Sequence, residues 1–242
     1  MFKEFLKNGF QKITLEQKAL GIIYQEILFK LKVEYLINDD ISSIHKKLDI
    51  TNLNNVRLSL INHISEFPEI HNLIYDLASN ELDKLLGPDI AVQKKINISI
   101  QMPHDQSSLL DLHTDVLAGN SPYEVILWLP LCDVEKTASF YLLPLDESKK
   151  YNQVGFVESK KEIFEKEKDK FYWPKLKFGE GIIFSPSLVH GNVENIENYS
   201  RISLNIRFKS LFTPFHKKKL GEYFIPLKEG IVSKVVREVG FD

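Results

Sequence analysis

The chain lacks the features that mark secreted and membrane proteins. Cys132 is its single cysteine, which excludes an internal disulfide framework and a cysteine-rich zinc site. No window approaches the ~20 apolar residues of a membrane span. Residues 1–15 carry charges throughout, where a secretory signal would have an apolar core. We therefore expect a soluble, cytoplasmic protein with no membrane partner.

An excess of charge of one sign is also missing. The 31 Lys and Arg residues are balanced by 33 Asp and Glu residues, which gives a formal net charge of −2. Nucleic-acid partners favour a basic surface, so we expect none. The sequence also contains no Gly-rich phosphate loop and no nucleophile elbow. Neither phosphate-loop chemistry nor nucleophile-elbow chemistry is therefore indicated by the sequence.

The hydrophobic pattern changes character near Pro88. Before it, apolar residues repeat at three-four spacing, which is typical of amphipathic helices. After it, short apolar runs and alternating segments are separated by turn residues, which favours a jelly roll or barrel. The 242 residues, 43% of them apolar, are enough for one sizeable core. We predict a single domain that is mainly β, with a helical support layer (1–90), a jelly-roll core (91–210) and a C-terminal extension (211–242).

Two short segments carry a possible metal site. Asp111-Leu-His-Thr-Asp115 contains a His-x-Asp pair, whose side chains would share one face of a strand. Leu188-Val-His-Gly-Asn192 supplies a third candidate, His190, at the end of a predicted strand. Either signal alone is common by chance. Together, His113, Asp115 and His190 form a set of two imidazoles and one carboxylate, which suits non-haem iron(II) with positions left open for a co-substrate and oxygen.

A strand close after the third ligand carries charge on one face. Arg201, Ser203, Asn205 and Arg207 alternate with four apolar residues, so the other face can pack under a helical layer. The polar face is either an exposed sheet edge or an interior site that needs an anionic partner. An arginine beside a hydroxyl suits bidentate binding of a carboxylate. Proximity in sequence to His190 favours the carboxylate site.

Flanking residues complete the expected pocket. Gln101 lies on the polar face of a predicted strand and is a candidate contact for co-substrate or substrate, with a solvent-wetted face as the alternative. Loops 103–112 and 117–123 surround the His-x-Asp pair and should shape the pocket. Segment 148–170 is dense in Lys and Glu. A solvated insertion with a short helix is favoured for it, and a lid over the site is the alternative.

These motifs resemble a known enzyme family. His113-x-Asp115, His190 and Arg201-x-Ser203 are similar to the motif set of the iron(II)/2-oxoglutarate-dependent oxygenases, over roughly residues 95–208. The surrounding strands resemble the phytanoyl-hydroxylase-like branch. Within that branch, the chain is most similar to small oxygenases of bacterial surface-carbohydrate and aminoglycoside pathways. The segments that carry the likeness to the phytanoyl-hydroxylase-like branch are Trp128–Asp133, Phe140–Pro144 and Gly179–Phe184.

The resemblance implies a fold and a set of roles. The fold would be a double-stranded β-helix, a cupin-like jelly roll with flanking helices. Fe(II) would be held by His113, Asp115 and His190, and the co-substrate 2-oxoglutarate by Arg201 and Ser203. With molecular oxygen, the enzyme would oxidise a small polar molecule such as a sugar or sugar conjugate of a surface-polysaccharide pathway.

Arg207 has the spacing of the second arginine in the nucleic-acid demethylase branch of the same family. The balanced net charge argues against a nucleic-acid substrate. We therefore assign Arg207 as a contact for the co-substrate or for a substrate anion.

Two other function classes stay open. A cupin-type metalloenzyme that needs no 2-oxoglutarate would be favoured by a three-histidine metal set without an anion-binding arginine. A non-catalytic jelly-roll binding module would be favoured by an incomplete triad. The sequence has all three ligands and the arginine, which favours the oxygenase. The substrate, the type of oxidation and the oligomeric state are left open by the sequence.

Overall fold

The computed structural model describes residues 2–38 and 40–240. The α-helices are α1 (Lys3–Asn8), α2 (Gln17–Tyr35), α3 (Leu53–Glu66), α4 (Ile70–Asp76), α5 (Ser79–Leu86), α6 (Leu145–Val154), α7 (Lys160–Glu167) and α8 (Ile231–Glu238). The strands are β1 (Phe10–Thr14), β2 (Ile90–Gln93), β3 (Asn97–Gln101), β4 (Glu124–Pro130), β5 (Tyr141–Leu142), β6 (Glu180–Phe184), β7 (His190–Gly191), β8 (Arg201–Ser210) and β9 (Phe224–Lys228). Short 3₁₀ turns lie at Ile41–Lys46, Ile50–Asn52, Lys136–Ala138 and Lys168–Lys170.

The main sheet is organised around β8. Its seven strands follow the order β1-β6-β4-β8-β2-β9, and β3 also pairs with β8. All of these pairings are antiparallel. Ser203 of β8 lies opposite Ser99 of β3, and Arg207 lies opposite Ile126 of β4. The register therefore places the polar residues of β3 and β8 on one face of the sheet.

The opposite face of the main sheet packs against the N-terminal helices. Ile202, Leu204, Ile206 and Phe208 of β8 are fully buried in one large cluster with apolar residues of α2, α3, α4 and α5. This confirms the predicted division of β8 into an apolar face under helices and a polar face turned away from them. Burial of these side chains is the main term that holds the helical layer on the sheet.

A second, smaller sheet faces the first. It consists of β5 and β7, with single bridges from Leu142 to Tyr172 and from His113 to His190. A separate apolar cluster joins side chains of both sheets: Phe10, Ile126, Trp128, Cys132, Val134, Phe140, Leu142, Leu176, Ile182, Phe184 and Leu188. Two antiparallel sheets with a core between them confirm the predicted jelly roll. Helices contain more residues than strands, so "mainly β" describes the core.

The two ends of the chain are less simple than predicted. β1 lies within the predicted helical layer, yet it pairs with β6 at an edge of the main sheet. β9 lies within the predicted extension and pairs with β2. Both are edge strands with one face partly exposed, so their apolar alternation is weak. Residues 1–90 and 211–242 therefore each contribute a strand to the sheet, while the single-domain organisation stays a prediction.

Segment 148–170 packs against the small sheet. A capping box begins α7, in which Ser159 accepts from the backbone of Glu162 and the Glu162 side chain accepts from the backbone of Ser159. Ile163 is fully buried in a cluster with Tyr141 and Val189. The predicted short helix is confirmed, and its apolar side is covered by the sheet. Within the described residues, every helix is too short or too polar to span a bilayer.

Candidate metal centre

Backbone pairing brings the two histidines together. The amide of His113 donates to the carbonyl of His190 at 2.9 Å, and the amide of His190 donates to the carbonyl of His113 at 2.9 Å. This reciprocal pair holds the two imidazole rings 4.2 Å apart between centroids. Residues 77 positions apart in the sequence (190 − 113) thus become direct neighbours across a single antiparallel bridge.

Asp115 completes the group. Its amide donates to the carbonyl of Pro186 at 3.0 Å, which fixes the turn that follows His113. Oδ1 of Asp115 lies 3.8 Å from Nε2 of His113. One potential ligand atom from each of His113, Asp115 and His190 lies within 4.8 Å of the other two. In the described part of the chain, it is the one cluster of three such residues with this geometry.

The hydrogen bonds of the histidines leave Nε2 free on both rings. Nδ1 of His113 lies 2.7 Å from the carbonyl oxygen of Asp111, and Nδ1 of His190 lies 2.8 Å from that of Leu188. A carbonyl oxygen only accepts, so each Nδ1 carries the proton and donates. The lone pairs on both Nε2 atoms are then available to a metal ion. The same device, a carbonyl two residues earlier, orients both rings.

The charge states of the group also suit metal binding. Burial, reinforced by the neighbouring His113, lowers the pKa of His190 to about 4, so its imidazole is neutral at physiological pH. Burial alone would raise the pKa of Asp115, but the Arg207 guanidinium and the two neighbouring histidines together outweigh it, and the pKa is lowered. A neutral imidazole and an ionised carboxylate are the forms that bind a cation.

Arg207 holds the outer oxygen of Asp115. Its Nη2 donates to Oδ2 of Asp115 at 2.6 Å, and both side chains are at most 10% exposed. Nη1 lies 3.3 Å from Oε1 of Gln93. The predicted contact of Arg207 with co-substrate or substrate stays a prediction. The contact present in the structure is with Asp115, and it leaves Oδ1 on the histidine side.

Arg201 is in the opposite situation. It is 2% exposed, and within the described residues its one side-chain hydrogen bond goes to Oγ of Ser99 at 3.1 Å. Its guanidinium carbon lies 5.6 Å from the ring centroid of Trp128. No carboxylate among residues 2–38 and 40–240 pairs with it, and burial lowers its pKa to about 10. A buried cation without an anion is costly unless a ligand supplies the negative charge.

Two neighbouring polar groups are likewise unsatisfied. Oγ of Ser203 and Oε1 of Gln101 are buried without a hydrogen-bond partner, as is Nε of Arg201. Gln101 lies opposite Arg201 in the β3–β8 register, and its amide nitrogen donates to the carbonyl of Val193 at 2.5 Å. The predicted group of Arg201, Ser203 and Gln101 thus lies together on the inner face of the sheet, with unused hydrogen-bonding capacity.

His113, His190, Arg201 and Arg207 line a cavity of about 490 Å³, whereas Gln101, Ser203 and Asp115 are not part of its lining. Its walls include both triad histidines, both arginines of β8 and the aromatic side chains of Trp128, Phe140 and Phe184. The rim includes residues 107–110 of the loop before His113, as predicted, whereas residues 117–123 and 148–170 do not line it. The lid interpretation of 148–170 therefore has no support. A larger groove of about 690 Å³ beside Cys132 contains no triad residue.

Gly191 allows the rim loop to approach the metal group. A Cβ atom at Gly191 would lie 2.4 Å from the hydroxyl of Tyr141 and 2.8 Å from the carbonyl oxygen of Leu110. Asn192 then fastens the loop, because its Oδ1 accepts from the amide of Leu110 at 2.5 Å. The small residue and the amide that follow His190 in the sequence therefore have a structural role in shaping the cavity.

Comparisons with known proteins find matches in structure but not in sequence. A scan against models of protein families and a search of curated proteins give no match. The solved non-haem, α-ketoglutarate-dependent carbocyclase SnoK from nogalamycin biosynthesis matches 94% of this chain and 97% of its own, with a TM-score of 0.59 and 13% identity. The chain has the fold of a non-haem oxygenase. The likeness at this identity concerns the fold.

Two further structures share the oxygenase fold. The non-haem monooxygenase ThoJ, solved as a nickel complex, matches 95% of this chain and 84% of its own, with a TM-score of 0.55 and 15% identity. The apo structure of EctD from S. alaskensis matches 88% of this chain and 77% of its own, with a TM-score of 0.57 and 13% identity. Each of the three likenesses covers at least 88% of this chain, so none is confined to the jelly-roll core.

Sequence reasoning missed two features of this oxygenase fold. The pairing of Arg207 with Asp115 depends on the β4–β8 register, which no local pattern reveals. Arg57 of α3 also lines the cavity. Its helix carries a clear apolar stripe, and a single arginine beside such a stripe is typical of a solvated surface. Only the position of α3 at the cavity rim distinguishes Arg57 from an arginine on a solvated helix surface.

Proposed function

We propose that this chain is an iron(II)- and 2-oxoglutarate-dependent dioxygenase that hydroxylates or otherwise oxidises a small polar molecule. The observation that carries the proposal is Arg201. It is a buried cation with no carboxylate partner in the described residues, and it lines the same cavity as His113 and His190. A metal site alone would fit many enzymes. A metal site beside a buried arginine that has no carboxylate partner in the described residues fits an enzyme that takes a keto-diacid co-substrate.

The donor set fits iron(II). Nε2 of His113, Nε2 of His190 and Oδ1 of Asp115 would hold the ion on one side and leave the remaining positions open. When bound there, iron(II) with 2-oxoglutarate and molecular oxygen would supply the oxidising chemistry for an unactivated C–H bond. Two structural relatives support this choice, because SnoK is described as α-ketoglutarate-dependent and ThoJ was solved with nickel.

The protein's own contribution to the metal is orientation. Arg207 holds Oδ2 of Asp115, so the carboxylate offers Oδ1 to the ion in a fixed rotamer. The carbonyls of Asp111 and Leu188 hold the two imidazoles by their Nδ1 protons. These contacts fix the orientation of the three candidate ligand side chains, which favours metal binding.

Co-substrate binding would use the unsatisfied group on β3 and β8. The guanidinium of Arg201 would take the distal carboxylate of 2-oxoglutarate, and Oγ of Ser203 would add a hydrogen bond. Oε1 of Gln101 is an acceptor, so it would bind a donor or an ordered water rather than the carboxylate itself. Trp128, whose ring lies beside Arg201, would exclude water from this ion pair and strengthen it.

The proposed substrate class rests on the resemblance of the sequence to a known group of oxygenases. Similarity to oxygenases of bacterial carbohydrate pathways supports a sugar or sugar conjugate of a surface-polysaccharide pathway. The phytanoyl-hydroxylase-like branch and a cytoplasmic location belong to the same proposal. A buried thiol and no disulfide fit a reducing compartment.

The test is an anaerobic titration. The purified protein receives iron(II) and then 2-oxoglutarate, and the visible charge-transfer band of the chelated co-substrate is recorded. We expect a band in the wild type and none in His113→Ala. Arg201→Ala should weaken 2-oxoglutarate binding about 100-fold, or roughly 3 kcal/mol, and leave iron binding nearly unchanged, because it removes only the carboxylate partner. Lys161→Gln on α7, outside the cavity, is the matched charge control.

Two results would replace the proposal. A wild type that binds iron(II) but never responds to 2-oxoglutarate would indicate a cupin-type metalloenzyme that uses another co-substrate. A wild type that binds neither iron(II) nor a related divalent ion, with the triad intact, would indicate a non-catalytic binding module.

A further inference from the structure

A third arginine lines the cavity from outside the jelly roll. The first turns of α3 lie at the rim, where Leu53, Asn54 and Arg57 form part of the lining. Leu53 and Val56 anchor this end of the helix, since both are buried in the large cluster under the sheet. Arg57 is half-buried, and it is part of the cavity lining.

Arg57 keeps most of its hydrogen-bonding capacity. Nη2 donates to Oδ1 of Asn54 at 2.7 Å, within the same helix. No carboxylate in the described ranges forms an ion pair with it. A guanidinium has five N–H donors, so Asn54 orients the group without neutralising its charge. An arginine with a structural role in the interior normally forms an ion pair with a carboxylate, as Arg207 does with Asp115.

The charge of the cavity favours an anion. Among residues 2–38 and 40–240, its lining contains Arg57, Arg201 and Arg207 and neither an Asp nor a Glu. In the enzyme of the proposed function, Asp115 and the two carboxylates of 2-oxoglutarate balance Arg207, Arg201 and one charge of iron(II). One charge of the ion and the whole charge of Arg57 remain. Positive potential in a concave site attracts anionic ligands.

We propose that Arg57 binds a carboxylate or phosphate group of the primary substrate, and so sets the charge specificity of the enzyme. The substrate class is then a small anionic molecule, whose anionic group lies at the α3 rim and whose reacting carbon lies deeper, towards the triad. Leu109 and Leu110, both partly exposed at the same rim, would contact apolar parts of the molecule. This inference rests on the proposed function.

The test uses three small probes with one methyl group each: acetate, methylphosphonate and the neutral isostere acetamide. Protein loaded anaerobically with iron(II) and 2-oxoglutarate is titrated with each probe. Paramagnetic relaxation of the methyl protons then reports binding near the ion. We expect concentration-dependent relaxation of acetate or methylphosphonate, but not of acetamide. The stronger of the two anions identifies the group that the site prefers.

Variants assign the effect to Arg57. Arg57→Gln should weaken anion binding about tenfold, the loss of one charge-assisted contact. Arg57→Lys should restore part of it, and Lys161→Gln, with the same change of net charge outside the cavity, should bind as the wild type does. Equal anion binding in wild type and Arg57→Gln would overturn the inference, as would equal relaxation of acetate and acetamide in the wild type.

The charge-transfer band of bound 2-oxoglutarate distinguishes a failure of this inference from a failure of the proposed function. A normal band in both wild type and Arg57→Gln, with unchanged anion relaxation, contradicts only the role of Arg57. Absence of the band in the wild type contradicts the proposed function and the inference together. Thermal unfolding of each variant checks that a lost signal does not come from a misfolded chain.

Discussion

The two ends of the polar face of β8 carry the same side chain in opposite electrostatic situations. Arg207 forms a 2.6 Å ion pair with Asp115, and that carboxylate raises the pKa of Arg207 against the effect of burial. Arg201 has no such partner in the part of the chain that the structure describes, and burial lowers its pKa to about 10. Both are nearly inaccessible to solvent. The same strand therefore holds one compensated and one uncompensated cation.

This difference separates a structural charge from a binding charge. A buried ion pair satisfies itself, and breaking it leaves a buried charge behind. A buried cation that has no internal partner lowers the stability of the ligand-free protein, and an anionic ligand relieves that cost. We expect the two arginines to respond to substitution with effects of different size and different sign.

The largest expected effect belongs to the compensated end. Arg207→Met leaves the Asp115 carboxylate buried and unpaired, so the free energy of unfolding of the metal-free protein should fall by about 3 kcal/mol. Urea unfolding measures it. The double variant Asp115→Leu with Arg207→Met removes both charges and should recover most of the loss. A single variant as stable as the wild type would show that the pair contributes nothing.

Steric crowding at the cavity rim should also lower the stability of the protein. Gly191→Ala places a Cβ atom 2.4 Å from the Tyr141 hydroxyl, so we expect a loss of about 2 kcal/mol as the rim loop is displaced. Gly21→Ala is the matched control. Gly21 lies in α2 with no atom within 4 Å of an added Cβ, and it should gain roughly 1 kcal/mol from helix propensity. Equal effects at both glycines would refute the steric account.

A buried charge outside the cavity extends the comparison. Burial alone would raise the pKa of Glu167 in α7, but contacts from Lys150, Lys170 and Tyr151 outweigh it and lower the pKa from 4.5 to about 2. The stabilisation is therefore complete above pH 4.5 and is lost as the pH falls towards 2.

We expect Glu167→Gln to cost about 1 kcal/mol at pH 7. The difference from the wild type should shrink as the pH is lowered from 5 to 3. Urea unfolding at several pH values measures it. A difference that stays constant across this range would mean that the carboxylate charge does not stabilise the fold.

The smallest change in stability is expected at the uncompensated end. Arg201→Met removes a cation that lacks a partner within the described residues. Without ligand, the free energy of unfolding of the variant should therefore lie within about 0.5 kcal/mol of the wild-type value or above it. Urea unfolding without metal or co-substrate measures it. A loss as large as that of Arg207→Met would show that Arg201 has a structural partner, and would remove the distinction between the two ends.

Local patterns in the sequence were enough for the parts of the fold that repeat with a clear period. The alternation along β8 predicted both of its faces, because a strand with one face under helices must alternate. The His-x-Asp pair and His190 were predicted from residue type and position at strand ends. The structure brings their side chains together, while their roles as ligands and those of Arg201, Ser203, Gln101 and Arg207 stay predictions.

Features that depend on contacts between distant segments were not visible in the sequence. β1 and β9 are short edge strands whose exposed faces dilute the apolar pattern. The Arg207–Asp115 pair follows from the register of β8 and the turn after His113, which no window contains. Arg57 has its position because α3 crosses the rim of the cavity. In each case the missing information is a tertiary placement rather than a residue preference.

The central place of β8 has a consequence for biosynthesis. β2, β3 and β4 all pair with β8, which leaves the ribosome after them. The backbone groups that they use in this pairing stay unpaired until more than 70 further residues have been synthesised. Apolar nascent strands with open edges are prone to aggregate. We therefore expect the emerging polypeptide to depend on chaperone protection until β8 has left the ribosome, whatever the stability of the folded protein.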